Sequence, residues 1–307
     1  SFESMLRETH TDCCVVLHRG KIVYERYFHG ATTHTKRLGM SMTKTYTSML
    51  VGILAGRGLL QMSDLLTSHL PELDGSGYTG ATVQNALDMC VAVDYDEDEV
   101  YSGTPFTGTQ IYNHTIAWGG YPPTQQFVDE GWPRTNYSFL VTQRPAPAPR
   151  KHGDYEYQSC VTEALGMLVE RVSGQRFSTF LSEALWSRLG CEDDGDMQLD
   201  RVGAAVACGG LCATARDWAR FGLCLSRDGI NHLGEQIIPR EYVLDSRTSK
   251  SQVVPYDVKR HRRDEFVSCY HNKLWIVGEA QDVCCKPRNS YVSSQHQILN
   301  AKLCGQA

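Results

Sequence analysis

The amino-acid sequence predicts a mixed α/β (α+β) protein built as two lobes, or as one large lobe carrying an insertion. Three observations predict it. The chain has 307 residues, and at roughly 150 residues per domain that length serves about two compact units with a substantial core. Near the N-terminus, two β-branched and aromatic runs, Cys13 to Leu17 and Ile22 to Phe28, are split by Arg19-Gly20-Lys21, the pattern of a β-hairpin. Helical periodicity then marks separate stretches, from about Ser41 to Gly58, from Val161 to Val172 and after Thr214, and strand-like runs return near the end of the chain.

After the hairpin, a helix is expected from about Ser41 to Gly58, with Leu50, Ile53 and Leu54 on one face and Gly56 and Gly58 near its end, so that Ser41 sits at a helix N-terminus. From Leu59 to about Pro149 the chain is rich in Gly, Pro, Thr and Tyr and poorly periodic, apart from short pieces such as Thr82 to Met89. A region of that kind is expected to form loops over a site. Val161, Ala164, Leu165, Leu168, Val169 and Val172 keep the helix period, and Gly174 stands where a C-terminal cap belongs. A further helix should begin at Thr214, whose hydroxyl caps the backbone while Asp217 answers from the next turn, with Trp218 and Phe221 facing inward. Leu274 to Val277 and Tyr291-Val292, the latter running on toward Leu299, are the closing strand candidates.

Composition narrows the function. Acidic and basic residues are interspersed, 35 against 30, for a net charge of -5; with 41% hydrophobic residues this is a folded globular chain and not a disordered tail. The dense basic run is confined to Lys259-Arg260-His261-Arg262-Arg263, so no nucleic acid partner is expected. No stretch approaches the roughly 20 apolar residues that span a bilayer, and no basic-then-apolar leader pattern opens the chain. A soluble protein without membrane partners is expected, with the cytoplasm favoured slightly over secretion. Twelve cysteines include the neighbours Cys13-Cys14 and Cys284-Cys285 but make no C-x-x-C pair or Cys/His spacing, so a structural zinc site is not expected. The triplets Asn113-His114-Thr115 and Asn136-Tyr137-Ser138 fit the glycosylation pattern and leave secretion open.

Ser41-Met42-Thr43-Lys44 is the sequence element with the clearest chemistry. One helical turn places a lysine amine beside a serine hydroxyl at the positive end of a helix, and a desolvated lysine of lowered pKa can take the serine proton. The same spacing also suits an ordinary helix start. Tyr155-Glu156-Tyr157-Gln158-Ser159 precedes the Val161 helix; a tyrosine phenol held near the Ser-Lys pair can relay a proton, and Ser159 adds a hydroxyl to that network. Either tyrosine equally suits a core position. Tyr112, Trp118, Tyr121 and Trp132 are candidates both for the wall of an apolar pocket and for core filling. The scattered histidines His18, His114, His152, His232, His271 and His296 read as surface or hydrogen-bonded residues.

Order and context favour the catalytic reading. Leu17 to Phe28, then Met40-Ser41-Met42-Thr43-Lys44, Leu70-Pro71-Glu72-Leu73 with Gly75-Ser76-Gly77-Tyr78, Leu87-Asp88-Met89, Tyr157-Gln158-Ser159 leading into Leu165 to Gly174, Leu185 to Gly190, and Gly209 to Gly222 follow one another as in the β-lactamase-related serine hydrolases. Within that superfamily the chain most resembles the nylon-oligomer (6-aminohexanoate-dimer) hydrolases and family VIII carboxylesterases, over roughly residues 12 to 303. The resemblance implies a β-lactamase/transpeptidase-like fold, with an antiparallel sheet flanked by helices in one lobe (residues 1–40 and 200–307) and a mainly helical lobe with substrate-pocket loops (residues 41–199). It implies Ser41 as the acyl-forming nucleophile, Lys44 as its general base, Tyr157 in the proton relay, and an oxyanion hole drawing on the Ser41 N–H.

The expected reaction is hydrolysis of a small ester or linear amide through an acyl-enzyme, with no cofactor, and a homodimer is left open. Ser159, Tyr112, Trp118 and Lys286 are the candidate substrate or oxyanion contacts. Two departures qualify the match. Tyr157-Gln158-Ser159 stands where penicillin-recognising members often have Tyr-x-Asn, which favours ester and amide substrates over β-lactams. Before the expected last strand, Cys284 to Ser290 replaces a Lys-Thr-Gly or His-x-Gly element, and Pro287 cannot donate an N–H within a strand. The alternative reading is therefore a catalytically impaired homologue or ligand-binding protein that keeps the fold.

Overall fold

The computed structural model describes residues 1–97, 108–118, 129–248, 253–254 and 268–277. Its centre is the helix Thr43–Gly56, in which every residue from Thr43 to Leu54 is buried. A helix enclosed on all sides belongs inside a core. It packs against the helix Ser159–Ser173, buried from Ser159 to Val169 and ended by Gly174 at φ 69°, as the periodicity predicts. The α-helix begins later than the sequence suggests. Met40 is left-handed at φ 46°, and a tight 3-10 turn, Met40–Met42, carries Ser41 into the helix proper at Thr43.

Strands β1 (Cys13–His18) and β2 (Lys21–Tyr27) form the predicted antiparallel hairpin, with Cys13 opposite Tyr27 and His18 opposite Lys21. Arg19 and Gly20 both have positive φ, 50° and 78°, the turn whose twist suits a two-residue hairpin loop. β1 packs on the helix Ala215–Ser226, and Arg216 grips Glu25 of β2 through two bonds of 2.7 and 2.9 Å. Thr214 caps that helix as predicted, accepting from the Asp217 N–H. Phe221 stacks on Tyr46 of the central helix at 3.7 Å between centroids, and Trp218 meets the same ring edge-on at 5.4 Å, so both face inward.

β3 (Arg37–Leu38), β4 (Asp196–Met197) and β5 (Leu211–Ala213) make a second antiparallel sheet in the order β3-β5-β4, which brings the residue before Met40 beside Leu211. β6 (Val253–Val254), β7 (Ser268–His271) and β8 (Leu274–Val277) make a third, in the order β6-β7-β8, with Asn272 and Lys273 at the β7–β8 turn. The strand expected at Leu274 is present; that expected at Tyr291 lies outside the described residues. The stretch from Leu59 to Pro149 is more than loops. It contains the short helices Leu66–His69, Val83–Leu87, Gly108–Thr115 and Asn136–Leu140, and it buries Leu66, Leu70, Tyr78, Leu87, Tyr112 and Phe139 in the common core. Helices this short complete too few turns to leave a period in the sequence. Among the described residues no helix is long and apolar enough to cross a membrane.

Two consequences are testable. A Cβ on Gly52 would come within 2.3 Å of the Tyr242 ring, which the Ser48 hydroxyl holds in place at 2.7 Å, so Gly52→Ala should destabilise by about 1–3 kcal/mol in denaturant unfolding. The bonds from Arg216 hold the Glu25 carboxyl at about 2, below its ordinary 4.5. The stabilisation from that pair is present above pH 4.5 and lost as pH falls toward 2, so Glu25→Gln should flatten the acid limb of the stability profile.

Candidate active site

The left-handed Met40 turns the chain sharply between β3 and the central helix, and this turn presents Ser41, half-buried, at the helix start. Non-glycine residues in that region of φ carry strain and concentrate at functional sites. One turn on, Lys44 is 2% exposed. Its Nζ donates to Ser41 Oγ at 3.0 Å and to the Cys208 carbonyl at 2.9 Å. The Tyr157 ring lies beside this pair, with Nζ 5.3 Å from its centre. The structure therefore brings Tyr157, more than a hundred positions further along the chain, to the Ser41/Lys44 pair.

The electrostatics differ from the sequence expectation. Burial works against the Lys44 ammonium, but the Tyr157 phenol, the Cys208 thiol and the Glu97 carboxylate outweigh it, and the proton affinity of Lys44 lies above that of an ordinary lysine. The direction is opposite to the expected lowering because the ammonium finds two acceptors, Ser41 and the Cys208 carbonyl, and lies in the negative potential of Glu97. Burial raises the Tyr157 phenol, and Lys44 only partly offsets it.

The Cys208 carbonyl is itself fixed from below. Glu163, wholly buried in the Ser159–Ser173 helix, accepts from the N–H groups of Ala207 and Cys208 at 2.9 and 3.0 Å, from Asn136 at 2.6 Å and from the Tyr112 hydroxyl at 2.9 Å. Burial keeps its carboxyl above the usual range despite those donors. Thr47 and Thr43 of the central helix add bonds to the Ala207 carbonyl and the Leu211 N–H, of 2.8 and 3.2 Å. Gly209 completes the turn, since a Cβ there would stand 2.7 Å from the Trp118 indole.

The remaining candidates divide. Trp118 lies over Gly209 beside Met40, its indole N–H donating to Gln198, and so borders the site. Tyr112 does not: at 1% exposure it is a core residue bonded to Glu163 and to the Cys208 sulfur, and its part is to support the wall, not to meet a substrate. Ser159 also leaves the expected network. Its hydroxyl donates to Glu97 Oε1 at 2.6 Å and its N–H to Glu97 Oε2, because it opens the helix and that carboxylate caps it. Between them Gln158 is buried and donates to the Val93 and Tyr95 carbonyls, holding the segment that carries Glu97. Trp132 is half-buried, whereas Tyr121, Lys286 and the Cys284 to Ser290 segment lie outside the described residues.

Sequence reasoning missed Glu97, Glu163, Cys208 and Trp275. Glu97 sits in a run of acidic residues, Asp94 to Glu99, in which no spacing marks it out. Glu163, a charge on the buried face of an apolar helix, was the one signal available. Trp275 stacks on Tyr157, with ring centroids 6.2 Å apart and planes at 16°. Among the described residues no group of three or more His, Cys, Asp or Glu side chains is arranged to hold a metal ion.

A beta-lactamase family model matches residues 10–265. A 6-aminohexanoate-dimer hydrolase of Paenarthrobacter ureafaciens is 34% identical over 228 residues, 74% of this chain; the chain spans 55% of that relative's length. A Bacillus anthracis structure described as a candidate 6-aminohexanoate-dimer hydrolase superposes with a TM-score of 0.75 at 26% identity, covering 89% of this chain and 67% of the other. A class C beta lactamase from Rhodobacter sphaeroides, 18% identical, shares the fold with a TM-score of 0.53, covering 80% of this chain and 68% of its own.

Glu163→Gln places an amide N–H₂ among donors that need an acceptor. It should cost about 1–3 kcal/mol in denaturant unfolding, and it should slow phosphonylation of Ser41 by releasing the Cys208 carbonyl that orients Lys44.

Proposed function

This chain belongs to the beta-lactamase family, and on that premise we propose that it is a serine hydrolase cleaving a small ester or linear amide through an acyl-enzyme on Ser41. The observation that carries the reading is the bond from Lys44 Nζ to Ser41 Oγ at 3.0 Å, with the Tyr157 ring centred 5.3 Å from Nζ. Two relatives named for 6-aminohexanoate-dimer hydrolysis support a linear amide of that kind, or an ester of similar shape, as the substrate class.

Because Lys44 holds its proton tightly, the base in this reading is the Lys44/Tyr157 pair after it has lost one proton, with Lys44 as the general base in the form that carries the amine. The pair takes the Ser41 proton while Oγ attacks the carbonyl carbon, and the oxyanion forms beside the N–H of Ser41. As the tetrahedral species collapses, the C–O or C–N bond breaks and the departing alcohol or amine takes that proton from the pair. Water then attacks the acyl-enzyme, gives a proton to the pair, and releases the acid as Ser41 Oγ is reprotonated. Trp118, over Gly209, borders the acyl group.

A fluorophosphonate probe, mapped by peptide mass spectrometry, is expected to label Ser41. Lys44→Ala and Tyr157→Phe should each lower the rate by about 10²–10⁴-fold. For the unaltered protein the rate should rise with pH from neutral upward, since raised proton affinities at Lys44 and Tyr157 leave only a small deprotonated fraction of the pair at neutral pH. A folded protein that takes no label at any pH would overturn the enzyme reading in favour of a ligand-binding homologue.

A further inference from the structure

The ring of Tyr157 does not stand alone. Trp275 stacks on it, Tyr270 meets it edge-on at 5.9 Å and 85°, and those two rings touch each other at 4.9 Å, so the β7–β8 hairpin forms the backing of the proton relay. The hairpin is fastened through its turn. The Lys273 N–H donates to the Leu87 carbonyl at 3.0 Å, the Asn272 N–H to Asp88 Oδ1 at 3.0 Å, and the hydroxyls of Thr45 and Ser48 to the Lys273 and Asn272 carbonyls at 3.2 and 2.7 Å.

Beside that turn, His271 is 5% exposed and lies between two carboxylates, with Nδ1 2.9 Å from Asp88 Oδ1 and Nε2 2.9 Å from Asp245 Oδ2. A neutral imidazole has one N–H, so one of those contacts would set a nitrogen lone pair against a carboxylate; only the imidazolium donates to both. We propose that His271 is a positioning residue for the reaction: as an imidazolium it clasps the β7–β8 hairpin to Asp88 and Asp245, holds Trp275 and Tyr270 against Tyr157, and releases them when it loses its proton. The role in turnover rests on the Ser41/Lys44/Tyr157 reading above.

The other groups around it do not substitute for its charge. Gln84 donates to Asp88 Oδ2 at 3.0 Å, and Asn272 Nδ2 reaches Asp245 Oδ2 at 3.3 Å, but both are neutral. Burial first pushes up the phenols of Tyr242, which also feels both carboxylates, and of Tyr270, which feels Asp88, so they stay uncharged. Lys273 is buried near Lys44, Asp88, Cys90 and Cys160, and burial with Lys44 holds it well below the lysine range. Burial disfavours the His271 cation as well, yet Asp88 and Asp245 outweigh it, and its proton affinity is raised above the ordinary 6.5. A group raised in the folded state stabilises fully below its unfolded value and loses that contribution as pH rises through the folded one. The clasp is therefore closed below pH 6.5 and opens on the alkaline side.

The test pairs two readouts. Ring NMR of His271, assigned by its loss in His271→Gln, should give a midpoint above 6.5. Hydrogen exchange of the peptide covering residues 270–277, corrected for the intrinsic rise with pH, should lose protection through that midpoint. The loss should be about tenfold for each unit by which the folded value exceeds the free one. Asp245→Asn supplies an amide N–H to a neutral Nε2, so its hairpin should stay protected at alkaline pH and its phosphonate labelling should rise more steeply with pH than that of the unaltered protein. A midpoint at or below 6.5, or equal loss of protection in both proteins, overturns the clasp. Hairpin opening with the same dependence of labelling rate on pH in both proteins overturns the positioning role. A protein that takes no label at any pH refutes the hydrolase reading, and the positioning role with it, while NMR and exchange still judge the clasp.

Discussion

A buried ammonium, that of Lys44, is the constraint on which the rest of the structure depends. A charge taken out of water is tolerated only when each of its polar bonds is met inside the protein. Lys44 can be fully enclosed because Ser41, Tyr157 and the Cys208 carbonyl converge on it from three separate parts of the chain. Each of those groups needs its own support. Ser41 is offered by the left-handed turn at Met40, Cys208 by the bonds from its neighbours to Glu163, and Tyr157 by the aromatic hairpin at its back.

This dependence explains why polar groups are so frequent at the centre of the core. Glu163, Asn136, Thr47 and Gln158 are all buried, and each spends its bonds on backbone that carries or adjoins the site. Such networks define one arrangement of loops sharply, because an unmet donor or acceptor in a low-dielectric interior is expensive. Arg150 illustrates the point: its guanidinium donates to the Val91 and Val93 carbonyls and to Gln158, which fastens the segment leading to Glu97. The carboxylate of Glu97 then closes the circuit by capping the Ser159 helix and adding negative potential at Lys44.

Aromatic packing on the far side of Tyr157 joins the relay to elements remote from it. The β7–β8 hairpin meets the central helix through Thr45 and Ser48, the segment after Val83–Leu87 through Asp88, and the helix Arg240–Ser246 through Asp245. Placement of one phenol thus draws on four separate stretches of chain, and a change in any of them reaches the site through packed rings and not through a direct bond.

By itself the sequence determined the elements whose signal is local. Alternating β-branched residues around Arg19-Gly20 specify the N-terminal hairpin, the apolar period from Val161 to Val172 with Gly174 specifies the longest helix, and Thr214 with Asp217 specifies a cap. The family was legible for the same reason, since Ser41, Lys44 and Tyr157 stand in short motifs whose order along the chain is preserved. Only the tertiary structure decided what surrounds them. It moved Tyr112 into the core and turned Ser159 toward Glu97. It raised the proton affinity of Lys44 where isolated desolvation would lower it. Those outcomes depend on which distant groups arrive at a buried charge, and neither spacing nor periodicity along a chain records the neighbours that folding brings through space.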